Sequence, residues 1–167
     1  MRAGRIAALV AILAGVAFWT WALFFASKES INRIEDRAWA ERAEGICVAA
    51  RDEREALADF REMERGNDAM LSERAGLIDQ ATDIVEDALD EIVAVEPADD
   101  KGQEIVPQWE ADYRRYIADR RSYTQTLRAG EDTAFSQTAV DGIPITERIE
   151  RFANDNDMPT CAPPTDI

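Results

Sequence analysis

Residues 6–26, IAALVAILAGVAFWTWALFFA, form an unbroken apolar stretch without a charged side chain. As a helix rising 1.5 Å per residue, this stretch spans ~30 Å, which matches the hydrocarbon layer of a membrane. A cleaved signal peptide is the main alternative, but its apolar region is usually ~7–15 residues long and ends at small residues. A cut after Ala26 would place the bulky Phe24 at the −3 position, whereas Trp19 and Trp21 suit a membrane–water boundary. We therefore predict an uncleaved transmembrane anchor at residues 6–26.

The charges that flank this stretch predict its orientation. Arg2 and Arg5 precede it, whereas Lys28 on the other side is followed at once by Glu29. Positive charges tend to stay on the cytoplasmic side of a membrane. Residues 1–5 are therefore predicted to be cytoplasmic, and the chain after the anchor is predicted to be extracytoplasmic in a single-pass cell-membrane protein.

The chain after the anchor is strongly acidic. The formal net charge of the whole chain is −15, with 19 basic and 34 acidic side chains. Arg2 and Arg5 are the only charged residues before Ser27, so the rest holds 17 basic and 34 acidic side chains, a net charge of −17. Such a surface repels nucleic acid and favours basic partners, although the charge can also serve solubility alone. The chain has no histidine, which removes the usual general base and the commonest transition-metal ligand. We expect no enzyme activity, cofactor or metal site.

Cys47 and Cys161 are the only cysteines, and both follow the predicted anchor. An even number of cysteines in an oxidising compartment favours an intramolecular disulfide. The bond would close a long loop, for which chain entropy gives ~4–5 kcal/mol of stabilisation. Two free buried thiols or a redox pair are the alternatives, but no CxxC spacing supports redox chemistry.

Apolar residues recur at alternating steps of three and four positions, the spacing of one helix face. The first helix is predicted to run on from the anchor to about Arg65, and the second to end before Pro97, followed by a polar loop at residues 98–102. The third carries Pro107 near its start. The positions that define these three stripes are Trp39, Ala43, Ile46, Ala50, Leu57 and Phe60; Leu71, Ala75, Ile78, Thr82, Val85, Leu89 and Ile92; and Val106, Trp109, Tyr113, Tyr116, Arg120, Tyr123 and Leu127.

A fourth, broken segment is predicted over residues 131–153. It contains a turn at residues 141–144 and a helix from Ile145 that points Ile149 and Phe152 inward. Short loops between such helices favour an up-down-up-down bundle. The predicted fold is therefore all-α: a transmembrane helix, a helical bundle at residues 27–158 and an irregular, extended tail at residues 159–167 that the disulfide tethers.

The third helix places Trp109, Tyr113, Tyr116 and Tyr123 on one face with Arg120 among them. One interpretation is an aromatic bundle core in which Arg120 either extends its charged end to the surface or pairs with an acid across the interface. The other is a ligand cleft, with aromatic walls and a guanidinium that binds a carboxylate or phosphate. The spacing alone leaves both open.

Charged residues on the second and third helices have complementary signs. We expect a register-fixing interface between the acids of the second helix and the arginines of the third: Asp83, Glu86, Asp87, Asp90 and Glu91, with Arg114, Arg115, Arg120 and Arg121. Metal binding by those acids is a weaker alternative, because di-iron bundle sites also use histidine. The run at residues 154–157, NDND, resembles the opening of a calcium loop but lacks its glycine and distal glutamate, so a helix end with a polar turn is expected.

Several features over residues 97–164 resemble a group of small, uncharacterised actinobacterial membrane proteins that have one anchor and a helical outer domain. They are the segment Pro107-Gln108-Trp109, the spaced tyrosines and arginines after it, Leu127-Arg128-Ala129-Gly130 and Met158-Pro159-Thr160-Cys161. The resemblance implies an envelope location and no particular activity.

Two functions remain. The first is a membrane-anchored, extracytoplasmic acidic module that binds a basic envelope protein or a neighbouring membrane-protein subunit, as a non-catalytic component of a bacterial cell envelope. The alternative is a ligand-binding or sensory domain that uses the aromatic–Arg stripe of the third helix as its cleft.

Overall fold

A computed structural model describes residues 11–21, 31–57 and 67–165. The chain divides into two compact units, Met1–Ile31 and Asn32–Ile167. In the first unit, the described residues 11–21 are helical (α1). In the second, the elements follow in the order α2 (Arg37–Glu55), α3 (Asp68–Val93), α4 (Asp100–Arg128), β1 (Ala139–Val140), β2 (Ile143–Pro144), α5 (Ile145–Asp155) and a 3-10 turn (Pro159–Cys161).

The predicted anchor is only partly covered by the structure. Residues 6–10 and 22–26 lie outside the described ranges. Within those ranges, no helix combines the length and the apolar character needed to cross a bilayer.

Helix α2 begins later than predicted and ends at Glu55. Asp36 begins it as an N-cap, because its side chain accepts a hydrogen bond of 2.9 Å from the backbone N–H of Trp39. Residues 31–36 are not helical, so the prediction of one helix continuing from the anchor is wrong. At the other end, the N–H of Leu57 donates to the carbonyl of Arg54 over 2.9 Å, which closes the last turn. The predicted end near Arg65 lies outside the described residues.

Helix α3 follows its predicted stripe throughout. Asn67 caps its start by accepting a 3.2 Å hydrogen bond from the N–H of Met70, and the helix ends at Val93, ahead of Pro97. All seven stripe positions are buried: Leu71, Ala75, Ile78, Thr82, Val85, Leu89 and Ile92. Because the side chains are spaced for one face over six turns, this helix packs one continuous edge into the interior.

Helix α4 begins earlier than predicted. Asp99 is its N-cap and accepts from the N–H of Gly102 over 2.8 Å, so residues 100–102 form the first turn rather than a loop. Pro107 lies inside the helix with its ring exposed. The helix ends at Arg128, and Gly130 follows with a φ of 81°, the left-handed conformation that commonly ends a helix.

The segment between α4 and α5 is broken, as predicted, and it contains a short hairpin that was not predicted. Residues 131–138 have no regular structure, and β1 and β2 then pair in an antiparallel hairpin. Its two-residue turn is Asp141-Gly142, with φ values of 53° and 80°, the geometry that joins such short strands. Because an Asp-Gly turn favours a hairpin over a helix, α5 begins only after the hairpin, at Ile145.

The helices form an antiparallel bundle, as predicted. As the residue numbers of the arginines rise along α4, those of their acidic partners fall along α3, so these two helices are antiparallel. The ion pairs are Arg114 with Asp90, Arg121 with Asp83 and Glu86, and Arg128 with Asp79. They confirm the complementary interface for Asp83, Glu86, Asp90, Arg114 and Arg121, whereas Asp87 and Glu91 line a groove between α2 and α3. The larger apolar cluster joins α2, α3, α4, α5 and the tail, and a smaller one at the far end of α3 and α4 contains Leu71, Ala75, Ile78 and Leu127.

Candidate functional site

The aromatic–Arg stripe of α4 lies in the interior of the domain. Trp109, Tyr113 and Tyr116 are 3%, 6% and 1% exposed, Arg120 is fully buried and Tyr123 is partly buried. Their rings contact one another and neighbouring rings edge to face, except that Trp109 stacks on Phe152 with centroids 5.3 Å apart. The arrangement is that of an aromatic core, in which pairs of rings add ~0.5–1.5 kcal/mol beyond their buried area.

Arg120 is directed at groups of the protein itself. Its Nε donates to Oγ1 of Thr82 over 2.8 Å, and its Nη1 donates to the hydroxyl of Tyr116 over 3.1 Å. Its Cζ lies 5.7 Å from the centroid of the Tyr116 ring, within the range of a cation–π contact. The guanidinium therefore holds α3 and α4 together.

The hydroxyls of the tyrosines bind the C-terminal tail, a role that sequence reasoning missed. Tyr113 donates to the carbonyl of Cys161 over 3.0 Å, and Tyr116 donates to the carbonyl of Pro164 over 2.7 Å. Burial raises the pKa of Tyr113, so its hydroxyl stays protonated and keeps donating. The polar groups of the stripe thus fix the tail onto the bundle.

The disulfide between Cys47 and Cys161 is confirmed. It joins α2 to the 3-10 turn of the tail, with the two Cα atoms 5.2 Å apart and 114 positions between the cysteines. Beside it, the carboxylate of Glu44 accepts a hydrogen bond of 3.0 Å from the N–H of Thr160. A covalent bond and hydrogen bonds from two helices therefore hold the tail.

A cavity of about 30 Å³ remains beside Trp109 and Tyr113, lined by α2, α3, α4 and the tail. A water molecule fits into ~10–15 Å³ of such space, whereas sites for metabolites usually enclose ~300–1,000 Å³. The interior of the bundle at this place has room for water-sized molecules and none for a metabolite.

The NDND run at residues 154–157 forms the end of α5 and a polar turn, as expected, and its side chains bind the segment before α2. The Oδ1 of Asn156 accepts from the N–H of Ile34 over 2.8 Å, and its Nδ2 donates to the carbonyls of Asn32 and Phe152, each over 2.9 Å. Asp157 forms ion pairs with Arg33, which precedes α2, and with Arg37, the first residue of α2. Among the described residues, no group of three or more acidic or cysteine side chains is placed to hold a metal ion.

A groove on the surface between α2 and α3 was not anticipated from the sequence. Its open volume is about 460 Å³, and we call it the acidic groove. Its floor is apolar and made largely of small residues: Gly45, Ile46, Ala49 and Ala50 from α2, with Ile84 and Ala88 from α3. The small side chains at Gly45, Ala49 and Ala88 were the signal in the sequence, but their meaning depends on how the two helices face each other.

The rim of the acidic groove carries three exposed acids, Glu53 from α2 and Asp87 and Glu91 from α3. Within residues 31–57 and 67–165, none of these carboxylates has an ion pair. Arg42, at one end of the groove, donates a hydrogen bond of 2.6 Å to the backbone carbonyl of Ile92 rather than to a rim carboxylate. Two sides of α3 therefore differ: its acids toward α4 are neutralised by arginines, and those toward the groove are not.

Comparison of the chain with protein-family models, with curated proteins and with solved structures gives no match to any of them.

Proposed function

We propose that the protein is a non-catalytic, membrane-anchored module that binds a basic protein in the envelope of a bacterial cell. Residues 1–5 would lie in the cytoplasm, residues 6–26 in the membrane and the acidic helical domain outside. The partner would be a basic envelope protein or a basic subunit of a neighbouring membrane protein.

The exposed surface of α1 supports the anchor. The helical residues 11–21 carry large apolar side chains that are 58–66% exposed: Ile12, Leu13, Val16, Phe18, Trp19 and Trp21. Soluble proteins rarely expose a contiguous apolar patch of this kind, because it is stable only against lipid or another protein. The absence of any charge from residues 6–26 favours lipid.

The partner proposal depends on one observation: the acids of α3 that face α4 form ion pairs, whereas those at the groove have none within the described part of the chain. Arg114 and Arg121 neutralise Asp90, Asp83 and Glu86 on one side of the helix. The rim of the acidic groove keeps its charges on the other side. Unpaired like charges repel one another and lower stability, so a basic partner that covers them would bind favourably.

The orientation can be tested with reporters fused to the C-terminus of the full chain. We expect alkaline phosphatase, which folds only outside the cytoplasm, to be active, and a cytoplasmic fluorescent protein to stay dark. The fusion should remain in the membrane fraction after an alkaline carbonate wash. The reverse pattern of reporters, or release by carbonate, would refute the anchor.

The partner can be tested by affinity purification of the full chain from detergent-solubilised membranes. We expect a basic protein to be enriched at low salt and its recovery to fall at moderate salt, because screening weakens contacts between exposed charges. Recovery of no protein above background at either salt concentration would refute the interaction module.

A further inference from the structure

We infer that the acidic groove docks a basic amphipathic helix of the partner protein. The inference rests on the proposed function and adds to it the binding surface and the kind of segment that binds.

The floor of the groove has the shape to receive a helix. Helices pack with their axes ~8–10 Å apart, and the smaller the side chains between them, the closer they approach. Gly45, Ala49 and Ala50 on α2, with Ala88 on α3, provide such a surface. Along α2, the groove extends from Arg42 to Glu53, which corresponds to ~17 Å or about three helical turns. A docked helix of ~10–12 residues would fill this length.

Charges and apolar residues of the groove specify the pattern of the docked helix. Ile46 and Ile84 offer apolar contacts in the floor, while Glu53 lies on one rim and Asp87 and Glu91 on the other. A helix that binds in a groove contacts it through apolar side chains at positions i, i+3 or i+4, and i+7. Lysines or arginines on both flanks of that apolar stripe would meet the rim acids, so the segment must be both amphipathic and basic.

The same charges disfavour two other occupants. A symmetric dimer formed through this groove would bury three rim acids and Arg42 from each copy, a net charge of −2 per copy, because a twofold interface pairs the same surface with itself. An anionic lipid surface would be repelled in the same way. A basic protein segment is the occupant that removes the repulsion.

The test uses the full-length, membrane-bound protein in its native cells. A photoreactive benzoylphenylalanine at exposed Ala49 reports what lies in the groove, and mass spectrometry maps the cross-linked segment. We expect a peptide of net positive charge whose apolar residues recur at helical spacing. A cross-link to a second copy of the chain, to lipid or to a neutral or acidic segment would overturn the inference, as would the absence of any cross-link.

Charge variants test the rim against a matched control. The variant Glu53→Gln/Asp87→Asn/Glu91→Gln removes the three rim charges, and Glu96→Gln/Glu104→Gln/Glu150→Gln removes three exposed charges elsewhere. We expect recovery of the partner to fall by a factor of roughly three to one hundred for the rim variant, since each exposed pair changes binding by a factor of about 1.4 to 5. The control variant should retain most of the recovery. Equal recovery by both variants would overturn the groove while leaving the proposed function intact.

Two tryptophan variants, one in the groove and one elsewhere, test the docking site without changing any charge. Ala49→Trp fills the floor of the groove, and Ala111→Trp adds the same side chain at an exposed position of α4. Only Ala49→Trp should abolish recovery of the partner, with thermal unfolding of both variants within a few degrees of the wild type. If the wild-type chain itself recovers no partner, both the groove and the proposed function fail.

Discussion

Asp36 and Asp99 cap two different helices and are also bonded to each other's segments. The backbone N–H of Asp36 donates to Oδ2 of Asp99 over 3.1 Å, and Oδ2 of Asp36 accepts from the N–H of Ala98, next to Asp99, over 2.8 Å. The remaining oxygen of each carboxylate caps its own helix, α2 or α4. The starts of α2 and α4 are therefore one connected structure, although more than sixty residues separate them.

Removing the carboxylate of Asp99 should destabilise the domain. We expect Asp99→Ala to lower the free energy of unfolding by ~1–2 kcal/mol, because the N-cap is lost together with the bond to the N–H of Asp36. Asp99→Asn keeps one of the two acceptor oxygens and should lose less stability than Asp99→Ala. Urea unfolding followed by circular dichroism measures both, and equal losses would contradict a capping role.

Replacing each of two helical glycines by alanine should change the stability of the domain in opposite directions. A Cβ at Gly102 would lie 2.6 Å from Cβ of Pro97 and 2.7 Å from Oδ2 of Asp99, so Gly102→Ala must push the capping loop apart. A Cβ at Gly76 meets nothing within 4 Å, and Gly76→Ala should stabilise α3 by ~0.5–1 kcal/mol. The melting temperatures should therefore move in opposite directions. A gain in stability for Gly102→Ala would contradict the tight packing.

Acid should destabilise the domain below pH ~4. The pKa of Asp36 is lowered by hydrogen bonds from the N–H groups of Ala98 and Trp39. Burial raises the pKa of Asp79, but hydrogen bonds from Arg128, Thr124 and Arg121 outweigh it, and the pKa lies below the ordinary value. Such groups bind fewer protons in the folded state than in the unfolded state. Their contribution is complete above pH ~4, the pKa of an unfolded aspartate, and is lost as the pH falls through the lower folded values.

Asp79→Asn isolates one part of this pH dependence. The variant should be less stable than the wild type at pH 6, because Arg121 and Arg128 lose their shared carboxylate. Between pH 4 and pH 2.5 it should lose less stability than the wild type, since it no longer takes up that proton. Thermal melts across this range measure the difference, and parallel curves would contradict the lowered pKa of Asp79.

Loss of the disulfide should be the largest single effect on stability. Replacing both Cys47 and Cys161 by serine opens a loop of 114 positions, for which chain entropy gives ~4–5 kcal/mol. We expect the melting temperature to fall by ~10–20 °C. The single variant Cys47→Ser should match the double variant. A drop of only one or two degrees would show that the hydrogen bonds to the tail suffice without the covalent bond.

The two tail-binding tyrosines should differ in importance. Tyr113→Phe removes one hydrogen bond, to the carbonyl of Cys161, and should lower stability by ~1 kcal/mol. Tyr116→Phe removes the bond to Pro164 and the acceptor of Arg120 as well, and should lower stability by ~2–3 kcal/mol. Chemical unfolding gives both values. A larger loss for Tyr113→Phe than for Tyr116→Phe would contradict this order.

Local patterns predicted the helices better than they predicted the contacts of individual side chains. The spacing from Leu71 to Ile92 defined α3 correctly because every third or fourth position is apolar. The start of α2 was misplaced because the first helix was extended back to the anchor, whereas the cap at Asp36 begins a separate helix. The disulfide was predictable from the even cysteine count together with the predicted extracytoplasmic location.

The site required tertiary structure. The stripe on α4 was correctly located, but the bond from Tyr113 to Cys161 joins residues 48 positions apart, and no local pattern encodes it. The acidic groove depends on the rotation of α3, which turns Asp83 toward α4 and Asp87 toward α2 although both lie on the same helix. Which acids are neutralised follows from that rotation rather than from their number.

The long separation of the two cysteines also determines when the domain can be completed. Cys47 is synthesised 114 positions before Cys161, which at about 5–20 residues per second leaves it without its partner for on the order of 10 s. During that interval Cys47 is a thiol open to oxidation or to pairing with another chain. Synthesis of Cys161, rather than folding of α2, therefore decides when the covalent bond can form.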